Sequence, residues 1–595
     1  MHRFNFVSKG LCSLVVLGLI GSPSALPLNA RTIAQPETKL LQRPHPVNCS
    51  IFSDRNDRAR RGQIGVTGSR VSNTMRQSSP VSVVPAPPPP VAPSPPPASG
   101  VSKSIARGAV AAETRIAPYP LPRPRPQLED RERYDGKNVA SIKRVADEPV
   151  STFGVDVDTG SYSNVRRFLN DGQMPPEAAV RTEEMINYFR YDYPKPRNRD
   201  TPFSITTDMA KTPWNDSSKL LRIGLRGYDV GSNERPRANL VFLVDVSGSM
   251  GSRDKLPLVK STLTALSNEL RRDDRVSIVV YSGTVGLLLA PTSNKAHVKQ
   301  AVDCLYASGS TAGGDALKLA YATARDNFLS NGINRIIMAT DGDFNVGTSN
   351  TEQLKKYVSE QRKTGVTLTM LGYGTGNIRD ELMEGIANVG NGNYAYIDSA
   401  MEAKKVLADE LSSTLFTIAQ DVKIQIEFNP AHVKEYRLIG YENRLLAEED
   451  FDNDLIDAGD IGAGHQVTAL YEIMPTGASG WLPERRYPGN RTEQRRPGLN
   501  GEMANIKLRY KLPNRKNSKL ITRQIDSAEL RAASAPRGDM AFAIAVAAFG
   551  QKLRGDKYLG SYGHKNINLL TGSGGDYWRQ EFRQLNSLAA GQTRS

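Results

Sequence analysis

The sequence predicts an α/β protein whose doubly wound, mainly parallel, Rossmann-like sheet is inserted between β-rich flanking segments. Continuous apolar strands alternate with amphipathic helices between residues 239 and 415, and short alternating runs lie on both sides of that region. Apolar strands that alternate with helices are typical of a parallel sheet covered on both faces. Proline-rich sequence precedes these regions and Ala/Leu-rich sequence follows them, so we expect a disordered N-terminal region and a helical C-terminal region.

The first 30 residues have the pattern of a secretory signal peptide. A basic start is followed by an almost continuous apolar run from Gly10 to Gly21 and then by small residues up to Ala30. The run is shorter than the roughly 20 residues that a membrane-spanning helix needs. We therefore expect export to the periplasm, the cell envelope or the exterior, with retention of the segment as an anchor as the alternative.

Residues 31–128 are expected to form a disordered, basic linker. Proline runs such as 85–90 and a shortage of large apolar residues leave too little surface to bury for folding. Between Arg31 and Asp130 there are 14 Lys/Arg and 6 Asp/Glu residues, which supply +8 of the formal charge of +15. A basic tail on an exported protein favours contact with an anionic envelope surface over nucleic acid, and a solvated linker is the alternative.

Four ordered regions are expected after the linker. They are an N-terminal flanking segment (129–238) with helices followed by strands, the α/β domain (239–415), a β-rich domain (416–526) and a helical region (527–595). The strands predicted at 203–228 can share one sandwich with those after residue 416. In that case the α/β domain is an insertion in the sandwich.

Two cysteines remain after removal of the signal, Cys49 in the linker and Cys304 in a predicted helix. Two cysteines do not make a disulfide framework of the kind found in small secreted domains. They can pair with each other, but the sequence favours a buried Cys304 and an exposed Cys49 that stay unpaired.

Oxygen-bearing side chains follow the ends of the predicted parallel strands, where ligands bind in sheets of this kind. The strand 240–244 leads directly into an Asp-x-Ser-x-Ser turn, which points three oxygens at one spot. A Thr in a glycine-rich loop and an Asp that follows another strand add two more. Oxygen ligands without nitrogen or sulfur suit a hard cation such as Mg²⁺, Mn²⁺ or Ca²⁺. The five candidate metal ligands are Asp245, Ser247, Ser249, Thr311 and Asp341.

This composite pattern resembles the metal-ion-dependent adhesion site (MIDAS) of von Willebrand factor type A (VWA) domains, over about residues 239–415. The resemblance implies that Ser247, Ser249 and Thr311 contact Mg²⁺ or Mn²⁺, with Ca²⁺ as a further candidate. It also implies that Asp245 and Asp341 bind the metal directly or through water. Neutral hydroxyl ligands leave the ion able to accept an acidic oxygen from outside. The expected partner is therefore a protein that offers a Glu or Asp side chain.

Three further segments extend the resemblance, at residues 148–162, 341–347 and 390–396. They look like segments of a bacterial family of exported A-domain proteins with characteristic regions before and after the domain. Many members carry a lipid-attachment cysteine after the signal, whereas Cys12 of this chain lies inside the apolar run. The resemblance therefore predicts the architecture of the flanks and leaves the mode of anchoring open.

The predicted function is metal-dependent protein binding outside the cytoplasm, in adhesion or scaffolding, without catalysis, nucleic acid or a small-molecule substrate. One alternative is a structural cell-envelope scaffold with an idle metal site. Another is a phosphatase of the haloacid dehalogenase type, because Asp156-Val-Asp158-Thr matches the Asp-x-Asp-x-Thr loop of those enzymes. Gly154 interrupts the strand such a loop needs, and a capping turn before the predicted helix from Tyr162 accounts for the same residues.

Overall fold

A computed structural model describes the chain from residue 46 to residue 593 with gaps. The described residues are 46–52, 132–134, 136–155, 158–197, 199–231, 234–310, 313–343, 351–409, 416–456, 458–486, 499, 501–513, 515 and 517–593. The predicted signal peptide, most of the predicted linker, Asp156 and Thr311 lie outside them.

The N-terminal flanking segment contains two helices and a long hairpin. Its strands are β1 (Lys143–Arg144), β2 (Val150–Gly154), β3 (Phe203–Lys211) and β4 (Lys219–Gly227). Its helices are α1 (Gly160–Asn170) and α2 (Thr182–Asn187), with a 3-10 turn at Glu177–Ala179. Strand β2 lies where no strand was predicted, and four of its five residues are buried because it has partners on both sides.

The α/β unit follows and contains a six-stranded sheet. Its strands are β5 (Ala238–Asp245), β6 (Arg275–Tyr281), β7 (Val285–Thr292), β8 (Ile333–Thr340), β9 (Thr367–Tyr373) and β10 (Tyr394–Ile397). Its helices are α3 (Leu256–Glu269), α4 (Lys295–Cys304), α5 (Gly313–Asp326), α6 (Thr351–Arg362), α7 (Asp380–Val389) and α8 (Ala400–Lys404). A 3-10 turn at Gly248–Gly251 follows β5, and a π-helical turn at Lys405–Asp409 follows α8.

The strand order in this sheet is β10-β9-β8-β5-β6-β7, and only the β6–β7 pair is antiparallel. Every residue of β5 and β8 is buried, as the continuous apolar pattern predicts for strands covered on both faces. The chain leaves β5 for β6 on one side and later returns to β8 on the other side. Such a reversal of strand order opens a crevice at the carboxyl ends of the strands.

The C-terminal part contains the remaining strands and a helical region. Its strands are β11 (Thr417–Phe428), β12 (Val433–Ile439), β13 (Leu445–Leu446), β14 (Ile461–Gly462), β15 (Gln466–Pro475), β16 (Glu502–Lys511) and β17 (Ser518–Asp526). Its helices are α9 (Ser527–Ala532), α10 (Gly538–Leu553), α11 (His564–Leu570) and α12 (Tyr577–Gln592), with 3-10 turns at Glu448–Phe451 and Lys557–Leu559.

Strands from both sides of the α/β unit build two antiparallel sheets, in the orders β1-β12-β15-β4-β3 and β13-β2-β11-β16-β17. In the first sheet Leu225 of β4 lies opposite Val467 of β15, and in the second Phe153 of β2 lies opposite Ile424 of β11. Apolar side chains of both sheets form one buried core. The α/β unit is therefore inserted between β4 and β11 of a sandwich that neither flank forms alone.

A separate core joins helices from the two flanks, with side chains from α1, α2, α10, α11 and α12. Every residue from Met540 to Gln551 in α10 is buried, and its many alanines and Gly550 allow neighbouring helices to approach closely. None of the helices in the described ranges combines the length and the apolarity required to cross a membrane.

Residues 46–52 pack against the α/β unit, although they fall in the region expected to be a disordered linker. The Asn48 N–H donates to the Leu288 carbonyl, and the Ala290 N–H donates to the Pro46 carbonyl, each at 2.8 Å. This short pairing at the edge strand β7 precedes a disulfide between Cys49 and Cys304, whose Cα atoms are 5.7 Å apart. The prediction that the two cysteines stay unpaired is wrong, because their pairing depends on an edge contact that local sequence does not show.

Candidate metal centre

Two aspartates lie at neighbouring strand ends in the crevice of the parallel sheet. Asp245 is the last residue of β5, and Asp341 directly follows Thr340, the last residue of the adjacent strand β8. The Thr340 hydroxyl donates to Oδ2 of Asp245 at 3.2 Å, which ties the two strand ends together. Both aspartates are fully buried. The fold therefore brings together two carboxylates that are almost a hundred residues apart in sequence.

The turn after β5 adds the two predicted serines. The Ser247 N–H donates to Oδ1 of Asp245 at 2.9 Å, which bends the chain directly after the strand. The hydroxyl oxygens of Ser247 and Ser249 are 3.0 Å apart. Ser247 is buried, Ser249 is half-buried and Gly248 between them is exposed. The turn therefore extends from the buried carboxylates to the protein surface.

A second loop lies against this turn. The Gly248 N–H donates to the Gly309 carbonyl at 2.9 Å, and the Ser308 N–H donates to the Val246 carbonyl at 2.8 Å. Gly309 has a φ of +81°, a conformation that favours glycine. Thr311 lies two residues further along this loop and outside the described residues. The structure thus brings four of the five predicted ligands to one edge, and the place of Thr311 stays a prediction.

Lys255 is a residue that the sequence analysis did not single out. Its Nζ donates to Oδ2 of Asp341 at 2.9 Å, and its side chain is only 7% exposed. The other oxygen of Asp341 accepts the Asp343 N–H at 3.2 Å. One feature of the sequence could have identified Lys255. It lies immediately before α3, at a helix N-terminus where the helix dipole favours an acidic residue over a basic one. Below, the carboxylate edge means Asp245, Ser247, Ser249, Asp341 and Lys255.

Burial raises the pKa of Asp245 to about 6, with a further contribution from the negative charge of Asp341. Hydrogen bonds from Ser247 and Thr340 act in the opposite direction but do not offset the burial. Ionised Asp245 is therefore costly in this environment unless a cation lies nearby.

The donor chemistry of the carboxylate edge fits a hard divalent cation. Its potential ligands are carboxylate and hydroxyl oxygens, which Mg²⁺ and Mn²⁺ prefer. The Ser282 hydroxyl, beside Gly309, is a buried polar atom without a hydrogen-bond partner among the described residues. Nothing in the local sequence pattern distinguishes Ser282 from other serines in loops, so it was not among the predicted site residues.

A second group of carboxylates lies between the α/β unit and the flanks, and arginines pair with it. One oxygen each from Asp158, Glu184 and Glu384 lie within 4.8 Å of one another. Arg444 donates to Asp158 at 2.8 Å and to Glu384 at 3.0 Å, while Arg181 pairs with Glu184 and Asp380. Below, this group is called the arginine network and consists of Asp158, Arg181, Glu184, Asp380, Glu384 and Arg444.

The arginine network bears on the phosphatase alternative through Asp158. Its Oδ1 accepts the Tyr394 N–H at 2.8 Å, its Oδ2 accepts from Arg444, and the residue is 2% exposed. A carboxylate that acts in phosphoryl transfer must reach its substrate. Asp158 instead attaches α1 to β10 and to the sandwich. Strand β2 does lead into the Asp-x-Asp-x-Thr segment, and Asp156, the nucleophile of that alternative, lies outside the described residues.

The fold and the carboxylate edge define a VWA-domain protein. Residues 239–410 match the family model of the von Willebrand factor type A domain, and residues 128–222 match a model described as von Willebrand factor. Residues 413–591 match the model of the C-terminal region of the uncharacterized protein YfbK. The chain is 45% identical over 474 residues to uncharacterized protein YfbK of Escherichia coli (strain K12), which covers 78% of this chain and 81% of that protein. The chain therefore belongs to the YfbK family of bacterial VWA-domain proteins.

More distant matches cover smaller shares of this chain. Inter-alpha-trypsin inhibitor heavy chain H3 of Homo sapiens is 24% identical over 352 residues, which covers 52% of this chain and 39% of that protein. The solved structure of von Willebrand factor type A from Catenulispora acidiphila covers 60% of this chain and 80% of its own, with 15% identity and a TM-score of 0.36. At that distance the structure has no bearing on function.

Proposed function

We propose that this protein binds other proteins outside the cytoplasm through a divalent metal held at the carboxylate edge. The metal is Mg²⁺ or Mn²⁺, with Ca²⁺ as a further candidate, and its ligands are Asp245, Ser247, Ser249, Thr311 and Asp341. When bound, the ion supplies a coordination position for a carboxylate oxygen of a partner. The role is adhesion or scaffolding and requires no catalytic step.

The observation that carries this proposal is the meeting of Asp245 and Asp341 at adjacent strand ends, next to two hydroxyl oxygens 3.0 Å apart. The carboxylates are buried, but the turn that holds the hydroxyls reaches the surface at Gly248. An ion at this place is within reach of a side chain from another protein. Because hydroxyl ligands are neutral, the ion keeps enough positive charge to attract an acidic side chain of the partner.

An exposed aromatic residue beside the edge supports a protein partner. Tyr306 is 66% exposed, and the loop that carries it is attached to the turn through Ser308 and Gly309. A Cβ added at Gly251 would lie 3.9 Å from the Ala307 side chain, so this loop and the turn are in contact. Tyrosines are frequent anchors in protein interfaces. Tyr306 is therefore suited to contact the partner next to the metal.

The disulfide supports a location outside the cytoplasm. Structural disulfides persist in oxidising compartments and are rare in the cytosol, and the Cys49–Cys304 bond attaches the N-terminal segment to the α/β unit. Together with the signal pattern, this favours export to the periplasm, the envelope or the exterior. The basic linker is proposed to contact an anionic envelope surface.

A second candidate is a structural envelope scaffold with an idle site, and one observation favours it. Lys255 already provides Asp341 with a positive partner. On that proposal the ion pair completes the carboxylate edge, and no metal is required for its charge balance.

Calorimetric titration of the full chain with Mg²⁺ distinguishes the two candidates. We expect binding by the wild-type protein, loss of binding in Asp245→Ala, and unchanged binding in Asp254→Asn, which alters a half-buried aspartate nearby outside the predicted ligand set. Equal affinity in Asp245→Ala would reject the site. Failure of the wild-type protein to bind Mg²⁺, alone or with an added carboxylate, would favour the scaffold.

A further inference from the structure

Lys255 occupies a position that ordinary helix energetics do not explain. It is the residue before the first turn of α3, where the helix dipole disfavours a positive charge. Its side chain is buried, and transfer of an ammonium group from water into a protein interior carries a large desolvation cost. The bond to Asp341 is the interaction that offsets these costs.

The end of the neighbouring strand β9 makes room for this side chain. A Cβ at Gly374 would lie 2.2 to 2.7 Å from the Cγ, Cδ and Cε atoms of Lys255, closer than any real contact. The Gly374 carbonyl accepts the Tyr396 hydroxyl at 2.8 Å, which holds this part of the chain in place. A strand end without a side chain therefore lets the lysine stem pass to Asp341.

The consequence is electrostatic. With both carboxylates ionised, Asp245 and Asp341 carry two negative charges, and the ammonium group of Lys255 leaves a single net negative charge at the edge. When a divalent ion binds there, the ion and the edge together carry one net positive charge. One carboxylate from a partner protein neutralises it. Without the lysine, the two aspartates alone would neutralise the ion, and the attraction for a further carboxylate would be weaker.

We infer that Lys255 is a resident counter-charge that lowers the affinity of the edge for the metal alone and makes metal binding depend on an acidic group from the partner. Metal and partner carboxylate then bind cooperatively, each raising the affinity of the other. This inference rests on the proposed metal-dependent function, and it assigns the coupling to one side chain outside the predicted ligand set.

Lys255→Met tests the inference, because methionine keeps an unbranched stem against Gly374 and removes the charge. Mg²⁺ is titrated into the full-length wild-type protein and the variant by calorimetry, first alone and then in the presence of sodium acetate as a minimal carboxylate. We expect Lys255→Met to bind Mg²⁺ at least about tenfold more tightly than wild type. We also expect acetate to strengthen Mg²⁺ binding by the wild-type protein and to have a smaller effect in the variant.

Lys260→Met is the matched control, since Lys260 lies on the same helix and its Nζ donates to the Asp303 carbonyl instead. It should behave like wild type in both titrations. Lys255→Gln, which retains a polar end without the charge, provides the same comparison if the methionine variant does not fold. A merely structural role of Lys255 would weaken Mg²⁺ binding in its variants and would not reduce the effect of acetate on that binding.

Two outcomes overturn different claims. If wild type binds Mg²⁺ and the Lys255 variants bind it equally or more weakly, the counter-charge role is rejected while the metal site stands. If neither wild type nor variants bind Mg²⁺ with or without acetate, the proposed metal-dependent function itself is rejected.

Discussion

The carboxylate edge and the arginine network both bring distant acidic residues together, but they balance the negative charge differently. In the arginine network, Arg181 and Arg444 pair with Asp158, Glu184, Asp380 and Glu384, and all of these residues are buried except Arg444, which is half-buried. At the carboxylate edge, hydroxyl groups and one lysine accompany two aspartates, and the serine turn reaches the surface.

The difference teaches which acidic cluster is suited to a ligand. Guanidinium groups with several donors bind carboxylates in fixed geometry, so carboxylate oxygens of the arginine network already accept hydrogen bonds from arginine. Hydroxyl groups carry no charge, so they leave an attraction for an ion intact. Proximity of carboxylates alone is therefore a poor sign of a metal site, and the identity of the neighbouring donors is a better one. Four variants test this division of roles.

The largest effect is expected for Arg181→Met in the arginine network. Arg181 bonds to Glu184 and Asp380, and its loss leaves these buried carboxylates without their main positive partner. Breaking a buried ion pair from one side typically costs about 3 to 5 kcal/mol. Urea unfolding should show this loss, with no change in Mg²⁺ affinity of the folded protein. Arg325→Met, which removes an exposed arginine on α5, is the control, and similar stability in the two variants would contradict the assignment.

A smaller loss is expected for Cys304→Ser, which releases the segment 46–52 from its covalent bond to the α/β unit. Removal of a disulfide that closes a long loop typically costs about 2 to 4 kcal/mol, and this one joins residues separated by 255 positions. Urea unfolding of the oxidised protein measures the loss. Wild type with reductant should match the variant, and a stability that does not respond to reductant would argue against the bond.

Glu183 is a buried carboxylate next to the arginine network, and no arginine in the described part of the chain forms an ion pair with it. Burial raises its pKa to about 7, helped by the charges of Glu442 and Glu184. Its Oε2 has no hydrogen-bond partner among the described residues. The folded state therefore holds a proton that the unfolded chain releases at lower pH, and the resulting stability is full below about pH 4.5 and is lost as the pH rises through 7.

Glu183→Gln should remove this loss, because glutamine stays neutral at every pH. The variant should be more stable than wild type by about 3 kcal/mol at pH 8 and nearly equal to it at pH 4.5. Urea unfolding at the two pH values measures both differences. Glu177→Gln, at an exposed glutamate in the same segment, should follow the wild-type pH dependence. A constant difference between Glu183→Gln and wild type would contradict the buried protonation.

The smallest effect on stability is expected for Ser249→Ala at the carboxylate edge. Ser249 is half-buried and its hydroxyl contacts Ser247, so removal should change unfolding stability by less than about 0.5 kcal/mol. Mg²⁺ affinity should fall nevertheless, because a proposed ligand is lost. Ser252→Ala on the same turn is the control for calorimetry. If Ser249→Ala lost stability but kept its Mg²⁺ affinity, Ser249 would serve the fold and not the metal, which would contradict the role assigned to the carboxylate edge.

The sequence by itself determined the α/β class and the order of its regions. The prediction of a mainly parallel sheet between β-rich flanks is confirmed, because uninterrupted apolar runs such as 240–244 form buried strands whatever their neighbours are. It also placed Asp245 and Asp341 at strand ends, since a strand end is a local property of the pattern. Whether the five predicted ligands hold a metal stays a prediction.

Only the tertiary structure decided the pairings between residues that are distant along the chain. The Cys49–Cys304 bond, the pairing of β2 with β11 and the bond of Lys255 to Asp341 each join segments that are far apart in the sequence. Local pattern carries no information about such partners, because a lysine before a helix or a lone cysteine has the same neighbours in sequence whether or not it is paired. The partner depends on strand order and on space left by residues such as Gly374, and the folded chain alone fixes both.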